Sequence, residues 1–223
     1  MFDASVVNWV ASRWLGLGGR LTRVFISYHH ALDQWAKDQL QVWNEQHGLF
    51  TDMSVNSNEV DDSLPTERIR EIIRDDYLRD STVTIVLVGT GTSGRKHVDW
   101  EIYSSMFNGK VNKQSGVFAI QLPSTNPQFW NAAHEGEKAT VYPDCTSWTT
   151  ITDRTEYERR YPYLPSRIID NLLAPEGKVS VTTWDRITSD LNNLIRLIDA
   201  AHNDRLSCEY DLSRAMRTQN SAF

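Results

Sequence analysis

Cysteine is nearly missing from this chain, with Cys145 and Cys208 the only two among 223 residues. Two thiols without metal spacing make no disulfide framework, so a reducing, cytoplasmic setting is expected. Long apolar runs are missing too. Near the start Val6, Val7, Trp9, Val10, Trp14 and Leu15 are interrupted by Asn8, Ser12 and Arg13, far short of the roughly 18–20 residues of a membrane span. Asp3 precedes and Arg13 follows this stretch, the reverse of a signal peptide. Residues 1–20 are therefore expected to form a short amphipathic helix that docks on the domain or a partner, with no stable membrane anchor. An excess of positive charge is also lacking. The formal net charge of −6 leaves no basic stripe to neutralise phosphates, which argues against a general nucleic-acid binder. There is no internal repeat and no low-complexity tract. The remaining composition, 40% hydrophobic and 23% charged, is that of an ordinary globular domain long enough to bury a real core.

The chain is organised around residues 81–106. Residues 83–88 form an unbroken β-branched and apolar run, the pattern of a strand buried on both faces of a parallel sheet. Gly89-Thr-Gly-Thr-Ser-Gly94 interrupts it, and a helical pattern resumes near His97. Val98, Ile102, Ser105 and Met106 share one face of that helix. Glu101 lies at the edge of the stripe, while Trp100 is expected to point away from it. A carboxylate near the first turn of a helix, just past the carboxyl end of a buried strand, stands where open α/β sheets keep their ligand sites.

The other elements alternate in the same way. Residues 23–28 read as the first strand. Leu32, Trp35, Ala36, Leu40 and Trp43 then mark a helix ending near Gly48. Residues 48–52 make a second strand, 53–65 a polar, acidic loop, and 66–77 a helix with Ile69, Ile72, Ile73 and Tyr77 in a stripe. Residues 115–122 are the fourth strand and 178–184 the fifth. A final helix carries Ile187, Leu191, Leu194, Ile195 and Ile198, and the polar residues after Asn203 are expected to fray. Residues 123–177 read as a long insertion packed down by its aromatics, with a short helix at 165–173 and a solvated charged face at 153–160. Alternating strands and helices predict an α/β, flavodoxin-like three-layer sandwich around a five-stranded parallel sheet. The domain spans 21–203, with the insertion between strands 4 and 5 and a tail at 204–223.

Three short boxes carry a family resemblance. Val24-Phe-Ile-Ser-Tyr28 resembles the first-strand box of TIR domains. Leu49-Phe-Thr-Asp52 before an acidic loop is similar to their second box and its mobile loop. Ser93-Gly-Arg-Lys-His-Val-Asp-Trp-Glu-Ile102 resembles the segment that carries the catalytic glutamate. The resemblance covers roughly residues 23–121 and is closest in layout to the TIR-like proteins of bacterial Thoeris anti-phage systems, the ThsB type. It implies an enzyme that cleaves NAD at the nicotinamide–ribose bond, by hydrolysis or by cyclisation to a cyclic ADP-ribose-type signal, in bacterial anti-phage defence. NAD would be the substrate, no cofactor or metal would be needed, and a nucleotide-sensing effector would act downstream. Glu101 matches the catalytic glutamate. Tyr28, His29 and Asp52 match substrate contacts, and His97 stands where the family commonly places an aromatic four residues before the glutamate.

The chemistry fits those residue types. Breaking the N-glycosidic bond develops positive charge on the ribose, and a fixed carboxylate can stabilise it. Nicotinamide leaves from a cationic ring, so no strong general acid is required. Against this stands the plain role of Glu101 as a first-turn acid favoured by the helix dipole. His29 and His30 lack a third partner for a metal site. Gly89-x-Gly-x-x-Gly94 follows the third strand, not the first, so it reads as a flexible loop and not as a dinucleotide fingerprint. Two other functions stay open: a catalytically silent adaptor or sensor acting through self-association, with the 53–65 loop, Trp100 or the insertion as an interface, and a deoxyribosyltransferase-like enzyme on the same fold type. A homo-oligomer is compatible with each.

Overall fold

A computed structural model describes residues 21–54, 64–110 and 112–221. The expectations for residues 1–20 and for most of the 53–65 loop lie outside these. The described chain enters strand β1 (Arg23–Ser27), crosses through helix α1 (His30–His47) to the two-residue strand β2 (Thr51–Asp52), and continues into α2 (Thr66–Ile72). A π-helical turn, Ile73–Tyr77, extends α2 before β3 (Val83–Val88). The 3-10 turn Thr92–Gly94 and α3 (Lys96–Met106) lead to β4 (Gly116–Gln121). The insertion contributes α4 (Glu137–Val141), α5 (Arg154–Arg160) and α6 (Ser166–Leu173). Strand β5 (Ser180–Thr183), α7 (Trp184–Ser189) and α8 (Asn192–Asp204) complete the fold.

The five strands are all parallel, in the order β2-β1-β3-β4-β5. Every residue of β3 and β4 is buried, as the continuous apolar runs predicted, because helices cover both faces. Side chains alternate across a strand. Val24, Ile26, Ile85, Leu87, Phe118 and Ile120 accordingly pack against α1 and α8. Val86, Val88, Val117 and Ala119 pack on the other face against Val98, Ile102 and Met106 of α3 and Ile168 of α6. The predicted flavodoxin-like three-layer sandwich is the observed one.

The insertion is held down by aromatics. Trp130 stacks on Tyr142 at 5.7 Å, and Trp148 meets the same ring edge-on at 5.6 Å. Asn131 exchanges backbone hydrogen bonds with Val181, which covers the outer edge of β5 where an open strand would invite pairing. The single last helix expected from periodicity is two helices, because Asp190 is extended and its carboxylate accepts the Asn192 N–H.

Two expectations are corrected. Trp100 does not face solvent: it is 2% exposed and packs with Phe25, Ile69, Ile73, Leu78 and Met216. Its indole N–H donates to the Arg217 carbonyl at 2.7 Å. The stripe facing the sheet is therefore only half of the helix's buried surface; α2 and the chain's end cover the other half. For the same reason residues 204–221 do not fray. Met216 is buried, and the backbone N–H of Arg217 donates to Asp99. Arg167, fully buried, grips Asp99 through two hydrogen bonds of 2.9 and 3.1 Å and also donates to the carbonyls of Arg214 and Ala215.

Candidate functional site

Strand parity brings the first site residue into place. Phe25 packs toward Trp100 of α3, so Ser27, two residues on, faces the same helix. Its hydroxyl donates to Glu101 Oε2 at 2.6 Å, the short length of a charge-assisted hydrogen bond. Glu101 is 3% exposed, and a carboxylate so deeply placed depends on such partners.

The chain leaving β1 builds the floor of a cavity of ≈ 220 Å³, lined by Tyr28, His29, His30, Ala31, Arg95, His97, Val98 and Asn220. Glu101 lies one helical turn beyond His97 and Val98 on the same side of α3. The Tyr28 ring stacks on His30 at 4.3 Å, and its hydroxyl donates to Gln34 at 2.7 Å. Burial, helped by the carboxylates Asp38, Glu101 and Asp52, pushes the Tyr28 phenol above its ordinary value, so it stays protonated. His29 is 5% exposed, and neither of its ring nitrogens has a hydrogen-bond partner among the described residues. Burial and the neighbouring Arg95 hold its pKa below the usual histidine value; burial, Lys37 and His29 do the same to His30. Both imidazoles are therefore neutral at pH 7. His97 meets the Trp100 ring edge-on at 5.0 Å.

The glycine loop is no loose connector. A Cβ on Gly89 would stand 2.2 Å from the Asp33 carboxylate, and one on Gly91 would stand 2.8 Å from the His29 ring. Glycine is needed there because α1 presses on the loop. Thr92 ties the two together: its hydroxyl donates to Asp33 at 3.2 Å and accepts from the Gly89 N–H at 2.8 Å. The chain's end closes the other side. Arg95, at the N-cap of α3, offers no side-chain cap. Asn220 Oδ1 instead accepts the Lys96 N–H at 3.0 Å, one of the donors that a helix start leaves open, and Ser221 N–H donates to the Gly94 carbonyl.

Of the residues singled out from sequence, Tyr28, His29 and His97 line one cavity, with Glu101 a turn away. Asp52 is not among the described residues lining it. Its carboxylate accepts from Gln41 Nε2 at 2.7 Å and from Ser54 N–H at 2.8 Å, fixing the start of the loop after β2. Ser27, Arg95 and Asn220 were not singled out. Ser27 was legible, since it shares parity with Phe25 in the first box; Asn220 arrives from more than a hundred residues away and left no local signal.

Among the described residues no three His, Cys, Asp or Glu side chains converge to hold a metal ion, and no helix is long and apolar enough to cross a membrane. Residues 25–127, which include the end of β1 and all of α3, match the family model described as Thoeris protein ThsB, TIR-like domain. No individual curated protein matches the chain.

Proposed function

Because residues 25–127 belong to the TIR-like domain family of the Thoeris protein ThsB, we propose that this chain cleaves NAD between nicotinamide and ribose and makes an ADP-ribose-type signal, cyclic or linear, for anti-phage defence. One observation carries the reading: a buried carboxylate, Glu101, anchored by Ser27 at 2.6 Å and set beside a cavity lined by Tyr28, His29 and His97.

In this reaction the C1′–N bond breaks and its electron pair leaves with nicotinamide, which becomes neutral. The positive charge passes to the ribose C1′ and ring oxygen, where the Glu101 carboxylate stabilises it. Neutral His29 and His30 add no repulsion toward the cationic ring, and the Tyr28–His30 stack offers it a flat surface. Arg95 supplies charge for the diphosphate. Water as acceptor yields ADP-ribose; an internal nucleophile yields a cyclic product, read by a nucleotide-sensing effector. At ≈ 220 Å³ the cavity is below the roughly 300 Å³ at which ligand pockets begin, so part of the dinucleotide lies outside, and opening or self-assembly would precede full activity.

The test is nicotinamide release from NAD by the full chain and by Glu101→Gln, with free deoxynucleosides as a control substrate. Loss of about a hundredfold or more in the variant is expected; equal rates overturn the reading. A silent adaptor is the second reading, favoured by the exposed Leu32, Trp35 and Val42 on α1, 42–54% accessible. An adaptor would keep defence intact with Gln at position 101.

A further inference from the structure

A second recess lies at the opposite end of the sheet from Glu101, where the strands begin. It is a cavity of ≈ 190 Å³ whose lining includes Arg23, Arg74, Lys113 and Arg205, with Asp80 the one acid among the lining residues. Arg23 opens β1, Lys113 precedes β4, and Arg205 follows α8. The acids nearby are already engaged. Asp80 stands 3.4 Å from Arg23, and Asp75 accepts from Asn112 Nδ2 at 2.6 Å. The neutral groups are engaged too: Ser81 donates to the Leu78 carbonyl, and Gln114 donates to the carbonyls of Arg205 and Cys208.

Arg74 is the exception. It is 3% exposed, and its buried Nε and Nη1 have no acceptor among the described residues. Buried guanidinium N–H groups without acceptors are costly, and stable folds keep them only where something compensates. It is carried on the π-helical turn Ile73–Tyr77, a backbone irregularity found often at functional sites. Burial lowers its pKa to about 10, which leaves it cationic at neutral pH, and Arg205 is destabilised by burial and by the like charge of Arg23. The recess therefore gathers four cations against two nearby acids, Asp80 on Arg23 and Asp75 beside Arg74, and keeps an excess of positive charge in a protein whose net charge is −6.

We propose that this recess binds a compact phosphate-bearing anion, with Arg74 as its buried anchor. A guanidinium fork matches two phosphate oxygens at once, and Arg23, Lys113 and Arg205 supply charge at the mouth. The volume suits a phosphate or diphosphate group, not a dinucleotide. Such a group could be free in solution or form the end of a nucleotide. The site is separate from the Glu101 cavity and does not depend on NAD cleavage.

The experiment is thermal melting of the full chain in chloride, and with inorganic phosphate, inorganic diphosphate or ADP-ribose added at matched ionic strength. A saturable rise in Tm is expected with at least one phosphate compound, by mass action on the folded state. A rise with phosphate or diphosphate assigns a free anion; a rise with ADP-ribose alone assigns a nucleotide end if Lys113→Glu weakens it, and overturns the proposal if Glu101→Gln but not Lys113→Glu removes it. Lys113→Glu, at an exposed position, is expected to weaken the apparent affinity about tenfold or more. Arg74→Met is expected to melt no lower than the wild type in chloride, since buried N–H groups without acceptors have gone, and to lose the response. No rise with any of the three compounds overturns the proposal, as does a full rise that survives Lys113→Glu. Should Arg74→Met fail to fold, Lys113→Glu alone decides.

Discussion

Ser27 is small, fully buried and aimed at the one acid on which the proposed reaction depends. Its hydroxyl holds the carboxylate in one orientation while the charge it must meet develops on the sugar. Removing it leaves Glu101 present but less fixed. Ser27→Ala is therefore expected to lower the rate of nicotinamide release by roughly tenfold to a hundredfold, less than Glu101→Gln does, with the KM for NAD little changed. Steady-state kinetics on both variants check this. An unchanged kcat in Ser27→Ala would mean that the bond only satisfies a buried hydroxyl. At the same scale Asp99 gives a useful contrast. It stands two residues before Glu101, and its carboxylate is taken up by Arg167 and the Arg217 N–H, so of these two neighbouring acids it is the structural one.

Helix α3 is clamped between the sheet on one side and α2 with the chain's end on the other. Its periodicity marked Val98, Ile102, Ser105 and Met106 as one buried stripe, and that was legible because the sheet-facing side repeats with the helix. The second buried side was not, because Trp100 is covered by Met216, more than a hundred residues downstream. No local pattern reports such a lid. The consequence is that Trp100→Ala opens a cavity in the core and does not selectively disrupt an outer surface. A loss of about 3–5 kcal/mol is expected from truncating a buried tryptophan, measured by denaturant melting. A variant as stable as the wild type would contradict the burial of this ring. The glycine loop was misjudged in a related way: its spacing suggested slack, whereas Asp33 and His29 press against Gly89 and Gly91.

Across the whole molecule the first and third boxes converge because a parallel sheet puts the carboxyl ends of β1 and β3 side by side. That much of the site followed from element order alone. The choice among site residues did not, since Asp52 at the end of β2 is turned to Gln41 and Ser54, while Arg95 and Asn220 reach the cavity through a turn and the chain's end. The sheet has two ends, and each carries a recess of distinct character: imidazoles and Arg95 at one, with the Glu101 carboxylate a helical turn away, and an excess of cations at the other. The most direct test of the central claim is a crystal structure of Glu101→Gln soaked with NAD. The account predicts the ribose C1′ within about 3.5 Å of the residue 101 side chain, with the nicotinamide ring against Tyr28 and His97. NAD bound with its C1′ remote from residue 101, in a crystal whose cavity is open to solvent, would contradict it.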